Sequence, residues 1–261
     1  MASVSKIYVG VNQMFPGIQS PLLSWTPASI AKYWWTADAG VTESGGAVSA
    51  WVDQVGGLSI DQATGANQPT LTTQAALNGE NVIRFDGTDD YLQRSPISFV
   101  SDGYAWTNIN IAYNNNGNIN GSLIAQSYLG AGDGRYSVLK DGGALVNINP
   151  GFSNTAAITL ESPATTGVKV EAFEYDASGN VRTWYNDFNT SSSYSGGTSN
   201  LDLIQITTLI FGAYNDTSTG VAAGYKWNGD LAESIWVPSV LSAGDITNLQ
   251  TYINTKYNLS V

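Results

Sequence analysis

Three aspartates, Asp86, Asp89 and Asp90, fall within five positions around Gly87, a concentration of hard oxygen donors of the kind that holds Ca²⁺. The spacing is not that of an EF-hand loop. In a tight turn the same carboxylates bond to backbone amides, so Asp86 and Asp89 are read first as turn formers and the trio second as a Ca²⁺ site. Asp133 and Asp216 can add ligands only if the fold brings their loops together. A second group is Glu174 with Asp176, two apart in a strand-like run and therefore on one face, with Glu171 on the other. Paired carboxylates about 5 to 5.5 Å apart carry out retaining glycoside hydrolysis. Asp176 already lies in a turn, however, and the pair reads as solvent-facing. The chain has no His and no Cys, which removes the commonest general base, thiol nucleophiles, disulfides and cysteine metal sites. The expectation is a protein that is not an enzyme.

Loops around 113–120 and 186–200 combine Asn-rich stretches with a few aromatics, the side chains that hydrogen-bond sugars and stack on them. Tyr113, Asn114, Asn116 and Tyr194 are the candidate carbohydrate-binding residues, against the plainer view that Asn and Ser are ordinary turn residues. Trp34, Trp35, Trp51, Trp227 and Trp236 sit in strand-like runs and are read as core. Near the N-terminus, Ile7, Tyr8, Val9, Met14 and Phe15 are apolar and precede a Pro/Ser-rich stretch, Ile18 to Ser29. They need a burial partner and are the candidate assembly residues.

The elements that must position these groups are mostly strands. Only 12% of residues are charged, and Gly, Asn, Ser and Thr separate strand-sized apolar runs such as Ala47 to Val52, Asn81 to Phe85 and Trp106 to Tyr113. Val168 to Asp176, the turn residues Ser178, Gly179 and Asn180, and Val181 to Tyr185 form a hairpin pattern. One helix is predicted near 242–257, capped by Ser242 with Asp245 three residues later, and with Ile246, Leu249, Ile253 and Tyr257 at helical spacing. The fold class is an all-β antiparallel two-sheet jelly-roll sandwich with one C-terminal helix and a short N-terminal β arm. Its domains are a 1–27 attachment arm and linker and a 28–261 sandwich. A formal charge of −11 repels phosphate backbones and anionic lipids, so no nucleic-acid or membrane partner is expected. No apolar run approaches a membrane span and no secretory signal is visible, which predicts a soluble chain.

Several segments resemble the laminin G-like jelly rolls of the concanavalin A-like lectin and glucanase superfamily, in a form common in phage and bacterial surface proteins. They are Tyr33 to Asp38, the Trp-x-Asp-x-x-Gly turn at Trp51 to Gly57, Gln68-Pro69-Thr70, the run Phe85-Asp86-Gly87-Thr88-Asp89-Asp90-Tyr91-Leu92, and Leu231 to Ile235 with the terminal helix. Trp184-Tyr185-Asn186-Asp187 departs from the usual Val-Asn-Gly hairpin, and the glucanase signature Glu-x-Asp-x-x-Glu is absent. Lys6 to Gln13 is similar to a short N-terminal segment of many phage structural proteins. The resemblance implies a phage virion structural protein, as a head decoration protein, head fibre or tail-associated protein, assembled in the host bacterial cytoplasm and anchored by its N-terminal arm. Implied partners are capsid or tail proteins, host surface glycans and other copies of the chain in a homo-oligomer. The alternatives are a carbohydrate-binding host-recognition module and a glycoside hydrolase or lyase.

Overall fold

In a computed structural model, the described residues are 7–9, 12–14, 25–95, 97, 105–115, 121–127, 134–140, 144–150, 160–161, 166–178, 180–185, 191–195, 208–213 and 226–261. The strands in chain order are β1 (Ile7–Val9), β2 (Asn12–Met14), β3 (Tyr33–Thr36), β4 (Val41–Ser44), β5 (Ala47–Val52), β6 (Ser59–Asp61), β7 (Thr70–Gln74), β8 (Glu80–Asp86), β9 (Leu92–Arg94), β10 (Trp106–Asn114), β11 (Gly121–Ser127), β12 (Gly134–Lys140), β13 (Ala144–Pro150), β14 (Leu160–Glu161), β15 (Gly167–Tyr175), β16 (Asn180–Tyr185), β17 (Ser191–Ser195), β18 (Thr208–Phe211) and β19 (Asn228–Val237). The helix α1 (Ala243–Tyr257) follows. β1 and β2 pair antiparallel with each other, while the remaining 17 strands form one continuous antiparallel network.

This network curls into two layers. One runs β17, β16, β15, β10, β19 and then β3, with β8 also paired to β19; the other runs β5, β6, β9, β18, β11, β12, β13. Between the layers lies a core with Trp35, Trp51, Phe85, Trp106, Phe173, Phe211 and Trp236 among its members. Some of the aromatic rings meet edge-on or tilted, as in Trp35 on Phe211 at 5.4 Å and Trp106 on Phe173 at 5.0 Å, while Trp106 and Trp236 stack at 5.6 Å, geometries that the ring quadrupole favours. A second apolar cluster covers the outer face of the first layer, where α1 packs Leu249, Tyr252, Ile253 and Tyr257 onto Ile109, Ile111, Val170 and Ile235. Both faces of β10 and β19 are therefore buried. The predicted all-β sandwich with one terminal helix is the fold observed.

The local reasons are legible residue by residue. Ser242 Oγ accepts the Asp245 N–H at 3.1 Å while Asp245 Oδ2 accepts the Ser242 N–H at 3.0 Å, so the capping box starts the helix where predicted. Asn258, at φ 53°, ends it. The Asp53 carboxylate accepts the backbone N–H groups of Val55, Gly56 and Leu58, which fixes the turn after Trp51. Gly212 has φ +85° and a Cβ there would lie 2.1 Å from Phe85 Cδ1, so only glycine fits beside that ring. Packing begins earlier than the 28–261 sandwich boundary: Trp25 meets Tyr252 edge-on at 6.3 Å, and Pro27–Ser29 form a short 3₁₀ turn.

Candidate functional site

The acidic turn between β8 and β9 gathers Asp86, Asp89 and Asp90, whose carboxylate oxygens lie within 4.8 Å of one another. Asp86 Oδ1 accepts the Thr88 N–H at 2.7 Å and the Asp89 N–H at 3.3 Å, which makes it the turn former expected. The second backbone amide is held by Asp90 and not by Asp89: Asp90 Oδ2 accepts the Asp86 N–H at 3.1 Å. Asp90 is only 8% exposed, and burial, reinforced by the charges of Asp86 and Asp89, pushes its pKa up to about 6. Burial lowers the Lys226 pKa, with the charges of all three carboxylates acting against that shift, and its Nζ stands 4.4 Å from the Tyr91 ring centroid. As a donor set the trio suits a hard cation that takes six to eight oxygens, but two of its oxygens are already spent on amides and Lys226 supplies a positive charge.

Asp90 gives a pH dependence with a definite sign. Its folded pKa is above its unfolded one, so its stabilising contribution is full below about pH 4 and is lost as pH rises through about 6. The loss amounts to about 2 to 3 kcal/mol at neutral pH. Asp90→Asn keeps the oxygen that accepts the Asp86 amide, and is expected to melt above the parent at pH 7.5 and to flatten the profile between pH 4 and 7. Added Ca²⁺ is expected to leave the parent melting temperature unchanged. A Ca²⁺-dependent rise, seen by calorimetry, would instead make the trio a cation site.

Glu174 and Asp176 are each engaged internally. Glu174 accepts Arg182 Nη2 and the Leu241 N–H, both at 2.7 Å, and so ties β15 to β16 and to the start of α1. It is buried, not solvent-facing as the sequence implied, because the loop before α1 folds over it. Asp176 accepts the Ser178 N–H at 2.8 Å and the Asn180 N–H at 3.0 Å, and Ala177 takes φ 64° to close that hairpin. Glu171 faces the opposite side of the sheet, on the side of Phe173 and Tyr175.

Of the candidate sugar residues, Tyr113 and Asn114 lie on opposite faces of one strand. Tyr113 and Asn114 are the last residues of β10, not part of a loop; Tyr113 packs toward the helix-side cluster, whereas Asn114 is 2% exposed and faces the inter-sheet core. Tyr194 is in β17, opposite Val181, and only its backbone is described. Asn116, Asp133, Asp216 and Phe15 fall outside the described residues. Ile7, Tyr8, Val9 and Met14 lie in the β1–β2 hairpin, in the register Ile7 with Met14 and Tyr8 with Gln13.

Sequence reading missed two buried polar assemblies. Glu233 on β19 is fully buried and collects Trp34 Nε1 at 2.9 Å, Tyr252 OH at 2.6 Å, Tyr257 OH at 2.7 Å and Lys256 Nζ at 2.5 Å. Lys256 also bonds Asp38 Oδ2 at 2.7 Å. Burial, followed by the Glu233 charge, pushes both tyrosine pKa values well above the usual phenol range, which keeps them protonated donors. Nearby, Asp230 receives Arg84 Nε at 2.7 Å, Arg84 Nη2 at 2.8 Å and Gln74 Nε2 at 2.7 Å. The available signal was a lone carboxylate in each half of an otherwise apolar strand. The third buried feature is the row Asn108, Asn110 and Asn114 along β10.

No family model matches the chain, and no curated protein matches it. Among solved structures it is similar to a Trypanosoma rangeli sialidase in complex with sialic acid, at 13% identity and a TM-score of 0.56, over 97% of this chain and 36% of that one. A second structure of the Trypanosoma rangeli sialidase, with a difluorosialic acid covalent intermediate, gives 12% identity and a TM-score of 0.54 over 86% and 33%. The chain thus spans about a third of the length of these sialidases. The carbohydrate-binding module CBM40 of a Ruminococcus gnavus IT-sialidase, bound to α2,3-sialyllactose, aligns at 16% identity and a TM-score of 0.44, over 60% of this chain and 97% of that one. At these identities the likeness defines the fold: a β-sandwich of the kind found within sialidase chains. No helix among the described residues is long and apolar enough to cross a membrane.

Proposed function

We propose that the chain is a carbohydrate-binding jelly roll that holds a glycan without cleaving it. The observation that carries this reading is the state of three of its buried carboxylates. Glu174, Asp230 and Glu233 each accept two or more internal donors, so among the described residues these three serve as packing groups and not as an acid–nucleophile pair. A glycosidase needs one carboxyl poised to donate a proton and a second open to the anomeric carbon. The sandwich shared with the sialidase structures supports the same reading by analogy of fold. The test is a glycan array probed with the intact protein. Retention of a defined glycan set is the expected result; absence of retention on every glycan would refute it.

A second reading, a virion protein displayed through its N-terminal arm, is favoured by one observation: among the described residues β1 and β2 pair with each other and with no strand of the sandwich. A two-stranded hairpin is marginal alone in water and gains from a partner. Deleting residues 1–24 is expected to leave the melting temperature within about 3 °C, a shift worth roughly 1 kcal/mol at this size, and to abolish oligomers in sedimentation. Full retention of oligomers by the truncated chain would remove the anchoring role.

A further inference from the structure

Asn-Gly is the dipeptide in which a side-chain amide meets the least shielded backbone nitrogen, because glycine has no Cβ to cover it. The chain has four such pairs, starting at Asn78, Asn116, Asn120 and Asn228. Asn116 and Asn120 lie outside the described residues. Asn228 opens β19, opposite Asp86, and its Gly229 is buried, where a Cβ would lie 2.2 Å from Trp227 Cζ2. Asn78 and Gly79 are instead exposed, in the turn that joins the 3₁₀ segment Ala75–Leu77 to β8. A Cβ on Gly79 would meet nothing within 4 Å, so solvent reaches it. Leu77 is fully buried in the helix-side cluster and holds this turn beside α1. Asn78 takes the left-handed conformation, φ 60° and ψ 19°, and its Nδ2 donates to the Lys256 carbonyl at 3.0 Å. That carbonyl belongs to the last turn of α1, where carbonyls have no helical partner, so Asn78 caps the helix from outside it. The Gly79 N–H donates to the Gln74 carbonyl at 3.0 Å. The Asn78 amide and the Gly79 nitrogen are both engaged, and one of the two bonds runs to α1.

We propose that Asn78 is a modification site of the chain, a position of spontaneous deamidation that the docked helix α1 holds back and that reacts when α1 lifts. In the reaction the Gly79 nitrogen gives its proton to hydroxide and attacks Asn78 Cγ. The new N–C bond closes a cyclic imide, the Cγ–Nδ2 bond breaks, and Nδ2 takes a proton from water and leaves as ammonia. Water then opens the imide at either carbonyl, giving aspartate, or isoaspartate with the backbone running through the side chain. Nothing is oxidised or reduced, and water is the co-reactant. Asn78 must turn its amide away from Lys256 to present Cγ to the nitrogen, so the bond to α1 competes with the reaction. The product reverses the local electrostatics. A carboxylate cannot donate to the Lys256 carbonyl, and it sets a negative charge at the negative end of the helix dipole. Glu80, two residues on, is already half-buried in the field of Asp38 and Glu233, so the new charge joins an acidic neighbourhood. Deamidation therefore loosens the docking that restrained it, and loss of the ammonia makes the step irreversible.

The experiment incubates the intact protein in mildly alkaline buffer and follows the Asn-Gly pairs by peptide mapping with mass spectrometry, which resolves the aspartate and isoaspartate products from the unreacted peptide. The parent is compared with Lys256→Met and with Tyr257→Phe, a milder change that removes one donor from Glu233 and keeps the ring. Asn78 is expected to react slowly in the parent, about tenfold or more faster in Lys256→Met, and a few-fold faster in Tyr257→Phe, because the open population follows the docking free energy exponentially. Asn228, inside β19, is the internal reference for unfolding of the whole chain, so rates are compared as the ratio of Asn78 to Asn228. A ratio that rises in the variants supports the site, and Tyr257→Phe decides if Lys256→Met fails to fold. A ratio that Tyr257→Phe leaves at the parent value, or an Asn78 that stays intact in all three proteins, overturns it. Asn78→Asp, the product itself, is expected to melt about 2 to 4 °C below the parent. A melting temperature at or above the parent's would overturn the link from the modification to the helix.

Discussion

Replacing Lys256 with Met is expected to destabilise the protein by about 3 to 5 kcal/mol, because it strands a fully buried carboxylate without its cation. Lys256 Nζ sits 2.5 Å from Glu233 Oε1 and 2.7 Å from Asp38 Oδ2, and Glu233 is 0% exposed. Burial alone lowers the pKa of this lysine, but the Glu233 and Asp38 charges outweigh it and leave the pKa above the ordinary value. The ammonium therefore stays charged throughout the accessible pH range. Once it is gone, the Tyr252, Tyr257 and Trp34 donors remain on Glu233, yet they are neutral and cannot balance its charge. Glu233→Gln in the Lys256→Met background removes the stranded charge and is expected to recover most of the loss, as replacing a whole buried pair often does. Chemical denaturation of the two variants and the parent decides it. A single-variant cost below about 1 kcal/mol, the range of a surface pair, would show that α1 is not held by this cluster.

Trp51→Ala is expected to cost about 3 to 5 kcal/mol, a lowering of the melting temperature by roughly 8 to 15 °C in a chain of this size. Trp51 is fully buried between the layers, meets Phe211 edge-on at 5.8 Å and donates from Nε1 to the Thr36 carbonyl at 3.0 Å. Its own carbonyl accepts Trp35 Nε1 at 3.2 Å, so the two indoles lock β3 and β5 reciprocally. Truncation leaves a cavity beside Phe211 and frees the Thr36 carbonyl. Trp51→Phe retains most of the volume and loses only the hydrogen bond, so its cost should fall well below that of Ala. Equal costs for Ala and Phe would place the stabilisation in the hydrogen bond and not in packing.

The features visible in the sequence are those set by neighbours in the chain. Ser242 and Asp245 define the start of α1 three residues apart, the hairpin at 176–180 needs only its own turn, and Trp51 and Phe85 declare burial through their type and the apolar residues around them. What stayed hidden depends on pairings across the whole chain. Thr36 and Glu233 are 197 positions apart, and nothing near Glu233 identifies it as the acceptor for three residues of the helix. β10 misleads for a related reason. Its alternation of Trp106, Asn108, Asn110 and Asn114 with Thr107, Ile109, Ile111 and Tyr113 reads as a strand with one wet face. Because β10 is central, with β15 and β19 on either side, the second layer over one face and α1 over the other, its asparagines are buried. Tyr113 and Asn114 are consecutive residues of this strand and so point to opposite faces.

The central claim is that the sandwich binds a glycan and releases it unchanged, and the most direct measurement follows one glycan through both steps. The intact protein is equilibrated with the array glycan it retains most strongly, bound and free glycan are quantified by calorimetry, and the same mixture is analysed by mass spectrometry after prolonged incubation. The account predicts saturable binding with the glycan recovered at its original mass, and the same outcome for Glu174→Gln, whose carboxylate is a packing group beside Arg182 and Leu241. Release of a shortened glycan by the parent and not by Glu174→Gln would contradict it, and would make this sandwich a glycoside-cleaving enzyme.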